Sequence, residues 1–174
     1  MRWHTPCTAE DMFIRKPTRL RHFDYVGEYR YLFTLCTEGR RRVFLDPAVV
    51  EPTLLDFVRS AEAEQIAMAA YCFMPDHLHV LAIGLTEASD ARRFVGSAKQ
   101  GSGYRHARDQ RQKLWQRSAW DRVLRSDEDT QTVLRYVLMN PVRAGLVGEP
   151  LEYPHSGSMV WSRTGLAEIL KDGR

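Results

Sequence analysis

The chain has 174 residues, of which 44% are hydrophobic and 27% are charged, and its formal net charge is +3. This length and composition fit one folded domain and exclude a disordered chain. No apolar stretch approaches the roughly 20 residues that span a bilayer, and no signal-like run follows Met1. We therefore expect a cytoplasmic protein with no membrane partner.

The basic residues are strongly biased towards arginine. Of 25 basic residues only four are lysine, which leaves 21 arginines, and the planar guanidinium suits phosphate groups and stacks on bases. A GC-rich coding sequence would produce the same bias, so both explanations remain open. Cys7, Cys36 and Cys72 lack the paired spacing of a zinc or disulfide framework, and we interpret them as packing residues in a reducing compartment.

The predicted elements follow one another without a linker. We divide the chain into a basic N-terminal arm (1–28), a single domain (29–157) and a C-terminal tail (158–174). The domain has predicted strands at 29–37, 66–74, 77–84 and within 114–124, and predicted helices at 47–64, from Ser89 or Asp90 towards Tyr104, and after a cap at 126–129. The order β-α-β-β-α-β with an added helix predicts an α+β fold of ferredoxin-like or RRM-like type, in which that last helix lies on an antiparallel sheet.

The densest chemistry lies at the start of the third predicted strand. His77 and His79 alternate along it and therefore project from one face, where both imidazoles can converge on one ion. Leu78, Val80 and Ala82 make the other face apolar. The alternative is that both histidines are ordinary polar residues of a half-exposed strand.

Two residues of the last helix complete the candidate site. Tyr136 and Asn140 are four residues apart and share a helical face. Two imidazoles and an amide oxygen, with water and phosphate oxygens, suit Mg²⁺ or Mn²⁺ better than a thiolate-seeking zinc site. Alternatively Tyr136 is a packing aromatic, and Asn140 before Pro141 is the N-cap of a new helical turn.

Several sequence blocks in this order resemble one known family, the REP-associated tyrosine transposases, which are related to the single-tyrosine transposases of the His-hydrophobe-His nuclease superfamily. The resemblance runs from about Tyr29 to Ser156. Its pieces are 31–34 (YLFT), 71–80 (YCFMPDHLHV), 114–116 (LWQ), 136–146 (YVLMNPVRAGL) and 153–156 (YPHS). Asp76 stands where many relatives have Asn, and the arm and the tail are not matched.

The resemblance implies an activity and a set of roles. It implies that His77, His79 and Asn140 hold a divalent cation and that Tyr136 is the nucleophile. It also implies that the substrate is single-stranded DNA with a short hairpin, typically a repetitive extragenic palindrome, which the enzyme cleaves and rejoins through a 5′-phosphotyrosine intermediate. We accordingly expect a nucleoid-associated enzyme, either a monomer or a homodimer.

The arginines and one tryptophan supply the predicted DNA contacts. These are Arg40, Arg41, Arg42, Arg92, Arg93, Lys99, Arg105, Trp115 and Arg143. Basic residues would contact phosphates, whereas Trp115 and also Trp120 would either stack unpaired bases or pack in the core. Two other functions stay open: a non-catalytic DNA-hairpin-binding protein that acts as a repressor or scaffold, and an RNA-binding module, which would need exposed aromatics on the central strands.

Overall fold

The computed structural model of the protein describes residues 23–125 and 129–171 and shows one antiparallel sheet within them. Its strands are β1 (Arg30–Cys36), β2 (Ile66–Met74), β3 (His77–Gly84), β4 (Trp120–Val123) and β5 (Ser156–Gly157). Its α-helices are α1 (Pro47–Ala63), α2 (Ala91–Gln110), α3 (Thr130–Leu138), α4 (Asn140–Arg143) and α5 (Arg163–Lys171). Residues 1–22 of the predicted arm and 126–128 of the predicted cap lie outside the described residues.

The strand order is β4-β1-β3-β2-β5, with every neighbouring pair antiparallel. The first four strands, with α1 between β1 and β2 and α2 between β3 and β4, reproduce the predicted β-α-β-β-α-β arrangement. Strand β3 is central, and its burial pattern shows that both of its faces are covered. The predicted α+β fold with an added helix on the sheet is therefore confirmed.

Two apolar cores lie on opposite faces of the sheet. One packs Tyr31 and Phe33 of β1 and Val80 of β3 under α1 and α2. The other packs Leu81 of β3 under α3 and α5. The pairing of β2 with β3 shifts register between Met68 and Ala70; such a bulge changes which side chains of a strand face each side.

Helix α3 is held from both ends. The Asp129 side chain caps its N-terminus by accepting hydrogen bonds from the backbone nitrogens of Gln131 and Thr132 at 3.2 and 2.9 Å. Near its C-terminus, the Arg135 Nε donates to the Ile169 carbonyl of α5 at 2.7 Å. The segment after residue 157 thus packs on α3. Tyr136, which follows Arg135, lies in a helix that hydrogen bonds hold near both of its ends.

The division of the chain at residues 28 and 157 stays a prediction. Tyr25, before the first of these boundaries, is buried in the first core, and Leu166 of α5, after the second, is buried in the other. No helix among residues 23–125 and 129–171 is long and apolar enough to cross a membrane.

Candidate functional site

His77 and His79 point towards each other on the central strand. The two Nε2 atoms are 3.1 Å apart, and both side chains are buried. The Nδ1 of His77 lies 2.6 Å from Asp76 Oδ1, and the Nδ1 of His79 lies 2.9 Å from Thr34 Oγ1. Each Nδ1 therefore has a hydrogen-bonding partner, and the two Nε2 atoms converge on one point between the rings.

This arrangement fits a divalent cation. Two ligands at right angles around an ion at about 2.1 Å lie about 3.0 Å apart, which agrees with the separation of the two Nε2 atoms. Partners of the kind that Asp76 and Thr34 provide fix the tautomer and the ring orientation of metal-binding histidines. No third His, Cys, Asp or Glu joins the pair within the described part of the chain, so further ligands would be oxygens of an amide, water or substrate.

The surroundings of His79 favour a neutral imidazole, which is the form that can bind a metal ion. Burial, followed by the charges of His77, Arg143 and Arg40, holds the pKa of His79 well below its ordinary value. The neighbouring Cys72 thiol has a pKa of about 12, because burial raises it more than the Arg143 charge lowers it. Cys72 therefore stays a protonated thiol and does not offer a thiolate ligand.

Asp76 is an ionised partner of the histidine pair. Burial alone would raise the pKa of its carboxyl, but the hydrogen bond and charge of His77, the charge of Arg40 and a backbone hydrogen bond lower it overall. Arg40 Nε lies 3.0 Å from the second carboxylate oxygen. Asp76 thus couples His77 to a basic side chain, a role that Asn at this position would fill only in part.

Tyr136 lies against the histidine pair. Its ring centroid is 6.2 Å from that of His79, with an interplanar angle of 70°. The Arg143 guanidinium lies over the same ring, 4.4 Å from its centroid, and also donates to the Tyr136 carbonyl oxygen. Helix α3 therefore packs on the histidine face of the sheet, and its tyrosine is held between an imidazole and a guanidinium.

Asn140 is the first residue of α4 rather than the cap of that helix. The N-cap position is Met139, and the Asn140 Nδ2 donates back to the carbonyls of Tyr136 and Val137 at 2.9 and 3.2 Å. The predicted capping alternative is therefore wrong. None of the hydrogen bonds among the described residues joins Asn140 to a histidine, and none engages its Oδ1, so its role as a metal ligand stays a prediction.

An open strip of the sheet adjoins the histidine pair. Thr34 is paired with both His79 on β3 and Trp120 on β4, and directly paired residues share a face of the sheet. Leu32, Thr34 and Cys36 are only half-buried, because α3 covers β2 and β3 instead. Trp120 is 40% exposed at the edge of this strip, which makes it an accessible aromatic surface beside the site.

Most of the predicted phosphate contacts already have partners in the protein. The ion pairs join Arg40 to Asp76, Arg93 to Glu64 and Arg105 to Asp56. Arg41 donates to Glu38 and Lys113 carbonyls, Lys99 donates to the Gln116 carbonyl at 2.8 Å, and Arg92 lies over the Tyr25 ring. Arg42 is exposed, and its side chain has no described hydrogen bond or ion pair within residues 23–125 and 129–171. A phosphate can reach Arg42 without displacing an internal partner, whereas the others would have to exchange one.

The structure decides between the two alternatives for Trp115 and shows the positions of His106 and Thr34, which the sequence prediction leaves out. Trp115 is 8% exposed in the first core and donates its indole N–H to Ser102 Oγ at 2.9 Å, so it follows the packing alternative and offers no free face to a base. His106 is also buried. Thr34 was not singled out from the sequence, although the alternation of side chains along β1 could have indicated that it faces the histidines.

Three comparisons relate the chain to known proteins. The family model described as IS200-like transposase matches residues 25–138. A Haemophilus influenzae protein, whose name assigns it to the REP-associated tyrosine transposases, is 29% identical over 145 residues, 76% of this chain and 81% of its own length. A solved structure of a REP-associated tyrosine transposase bound to a REP hairpin is similar in fold, with a TM-score of 0.65, 19% identity and coverage of 76% of this chain and 78% of that one.

Proposed function

The chain belongs to the IS200-like transposase family, and from that premise we propose that it is a divalent-metal-dependent enzyme that cleaves and rejoins single-stranded DNA carrying a hairpin. The observation that carries the proposal is the contact of the Tyr136 ring with His79, beside two converging imidazole nitrogens. A structural relative bound to a REP hairpin supports the substrate class.

The metal would be held by His77 and His79, with Asn140 as a third protein ligand. Mg²⁺ or Mn²⁺ bound there supplies a Lewis acid that neutralises charge on a phosphate oxygen. Asp76 and Thr34 contact the Nδ1 atoms of the two rings, and these contacts would leave both Nε2 atoms available to such an ion. The buried, neutral state of His79 keeps its lone pair available at neutral pH.

Tyr136 is the proposed nucleophile. Its phenol oxygen attacks the phosphorus, the bond from phosphorus to the 3′ oxygen breaks, and a 5′-phosphotyrosine and a free 3′ hydroxyl result. One proton leaves the phenol and one is taken up by the 3′ oxygen, so the exchange is balanced. Attack by another 3′ hydroxyl on the phosphotyrosine reverses these changes and joins strands without an energy-rich cofactor.

Binding would use the strip beside the site and the basic side chains around it. Trp120 would stack an unpaired base, worth about 1 to 3 kcal/mol, and Arg42 would contact a phosphate. Arg143 contacts one face of the Tyr136 ring. This contact would restrict the ring before the reaction, so that less orientational freedom is lost when the phenol attacks. Every proposed reacting group of the protein lies on one chain, so a monomer suffices for one cleavage.

The test is cleavage of a labelled single-stranded hairpin oligonucleotide in Mn²⁺ and in Mg²⁺. Tyr136→Phe removes one oxygen and little volume, so we expect it to abolish cleavage and the covalent protein–DNA adduct while hairpin binding persists. Tyr104→Phe is the matched control, because Tyr104 is 72% exposed on α2. Adduct formation by Tyr136→Phe at the wild-type rate would reject Tyr136 as the nucleophile.

The same experiment separates the enzyme from a non-catalytic hairpin-binding protein. If wild-type protein binds the hairpin but forms no adduct in either metal, a repressor or scaffold function replaces the proposed one. His77→Ala and His79→Ala should each abolish cleavage, and isothermal titration with Mn²⁺ in the absence of DNA should show weaker binding than in the wild-type protein.

A further inference from the structure

The guanidinium of Arg40 contacts two neighbours of His77. Its Nε lies 3.0 Å from Asp76 Oδ2, and its Nη1 donates to Cys36 Sγ at 2.8 Å. Asp76 precedes His77 in the chain, and Cys36 is paired with His77 across β1 and β3. The sequence prediction treats Arg40 as a phosphate contact, but these partners lie beside a proposed metal ligand.

The Asp76 carboxylate uses a different oxygen for each of its two partners. Oδ1 lies 2.6 Å from the Nδ1 of His77, and Oδ2 lies against Arg40. An ionised carboxylate only accepts hydrogen bonds, so the Nδ1 of His77 carries the proton and its Nε2 keeps a lone pair for a metal ion. Without the Arg40 contact the carboxylate would be free to turn away from the ring or towards the ion, because carboxylate oxygens are themselves ligands for Mg²⁺ and Mn²⁺.

The backbone of Arg40 adopts the left-handed conformation, which residues other than glycine rarely take. Its φ is 55°, and it directly follows Gly39, whose φ is 63°. A residue with a Cβ is strained in this conformation, and such strain persists only where surrounding contacts hold it. The contacts of the guanidinium with Asp76 and Cys36 are of this kind, so the strained backbone accompanies a charged group held beside the histidine pair.

Backbone hydrogen bonds hold the same region independently of the Arg40 side chain. The Thr37 nitrogen donates to the Asp76 carbonyl at 3.0 Å, and the Phe44 nitrogen donates to the Pro75 carbonyl at 3.0 Å. These bonds join the segment after β1 to the turn between β2 and β3. We therefore expect a replacement of Arg40 to leave that turn in place and to release only the carboxylate that the guanidinium holds.

We propose that Arg40 is a positioning residue of the metal site, whose guanidinium keeps the Asp76 carboxylate on the Nδ1 of His77 and away from the ion. This inference rests on the proposed function, because it takes His77 as a metal ligand. The role needs no DNA, so it can be measured separately from substrate binding.

The test measures Mn²⁺ binding to the full chain by isothermal titration calorimetry in the absence of DNA. Arg40→Lys keeps the positive charge but loses the planar fork that reaches both Asp76 and Cys36. We expect it to weaken Mn²⁺ binding about tenfold, the lower end of the range for outer partners of metal ligands. Arg108→Lys is the matched control and should bind Mn²⁺ as the wild-type protein does, since Arg108 pairs with Asp109 on the exposed surface of α2.

Arg40→Gly removes the guanidinium and also suits the left-handed backbone. We expect it to unfold at a higher urea concentration than Arg40→Ala, because only the alanine variant keeps a strained residue at this position. Both variants should bind Mn²⁺ more weakly than the wild-type protein. A role of Arg40 through charge alone predicts the opposite, because removing a cation near the site would strengthen the binding of a metal ion.

A double variant tests whether Arg40 acts through Asp76. Asp76→Asn alone should weaken Mn²⁺ binding about 10- to 100-fold, because asparagine has a single accepting oxygen where the carboxylate offers one to His77 and one to Arg40. Adding Arg40→Lys to Asp76→Asn should weaken Mn²⁺ binding no further, since the contact that it breaks is already lost.

Three results would overturn the inference alone, provided that His77→Ala still weakens Mn²⁺ binding: wild-type affinity in Arg40→Lys, stronger binding in Arg40→Gly, or additive losses in the double variant. The salt dependence of hairpin binding in EDTA should be unchanged in Arg40→Gly. A salt dependence lower by about one phosphate contact, with unchanged Mn²⁺ affinity, would assign Arg40 to the DNA instead. Wild-type protein that binds no Mn²⁺ would overturn the proposed metal site and this inference together.

Discussion

Replacing Arg143 with methionine is expected to slow DNA cleavage about tenfold without unfolding the protein. The guanidinium lies 4.4 Å from the centroid of the Tyr136 ring and donates to the carbonyl of the same residue. Methionine keeps an aliphatic side chain of similar reach but removes the charge and every donor. The tyrosine would then lose one of the two groups that hold its ring at the histidine pair.

The magnitude follows from these two contacts. A cation over an aromatic ring at an exposed site contributes about 0.5 kcal/mol, and an exposed hydrogen bond to a carbonyl contributes about 1 kcal/mol. Together they restrain Tyr136 by about 1.5 kcal/mol, which corresponds to about tenfold in rate. Because Arg143 is exposed, we expect the free energy of unfolding to change by less than this amount.

The assay is single-turnover cleavage of the labelled hairpin at saturating protein, so that weaker binding does not enter the rate. Arg143→Lys keeps the charge but not the planar group that stacks on the ring, and we expect an intermediate rate. Arg108→Met is the control for the loss of a surface arginine. If Arg143→Met cleaves at the wild-type rate and only needs more protein to saturate, Arg143 is a phosphate contact, and its positioning role is refuted.

Two further predictions concern other parts of the structure. Trp115→Phe should lower the free energy of unfolding by about 1 to 3 kcal/mol, through the lost indole hydrogen bond and packing, and leave DNA affinity unchanged. Trp120→Ala should instead lower DNA affinity and leave the free energy of unfolding unchanged. Denaturant titration measures the free energy of unfolding, and fluorescence anisotropy measures DNA affinity. His106 should make stability pH-dependent: burial, then Arg41, lowers its native pKa, with Asp109 opposing. Above about pH 6.5 the ring is neutral in both states, but below it the unfolded chain takes up a proton that the native state resists. Stability should therefore fall between pH 7.5 and 5.5, and fall less in His106→Gln; equal slopes in urea denaturation would contradict this.

The elements themselves could be predicted from the sequence because their signals are local. The alternation in β3 places His77 and His79 on one face whatever packs against the strand, and Asp129 caps α3 through its own neighbours. The predicted bounds of β2 and β3 agree with the structure. The order of these elements was sufficient to predict the antiparallel sheet, because short connections and crossover rules leave few topologies.

Contacts between side chains that are distant in sequence could not be predicted from such local signals. Arg105 pairs with Asp56 from another helix, and Trp115 finds Ser102 inside the core. An arginine-rich composition indicates affinity for phosphate. Whether each guanidinium is available to a phosphate depends on which carboxylate or carbonyl the fold brings beside it. The same holds for His106, whose burial depends on what the fold packs against α2.

By itself the sequence determined on which face of which element the candidate residues lie, since periodicity is a property of the backbone. Only the tertiary structure decided that α3 covers the histidine face, with the Tyr136 ring 6.2 Å from that of His79, and that the strip over β1 and β4 stays open. The physical reason is that the apolar residues of a helix bury equally well against either face of a sheet, and the choice between the faces is made by the packing of the whole chain.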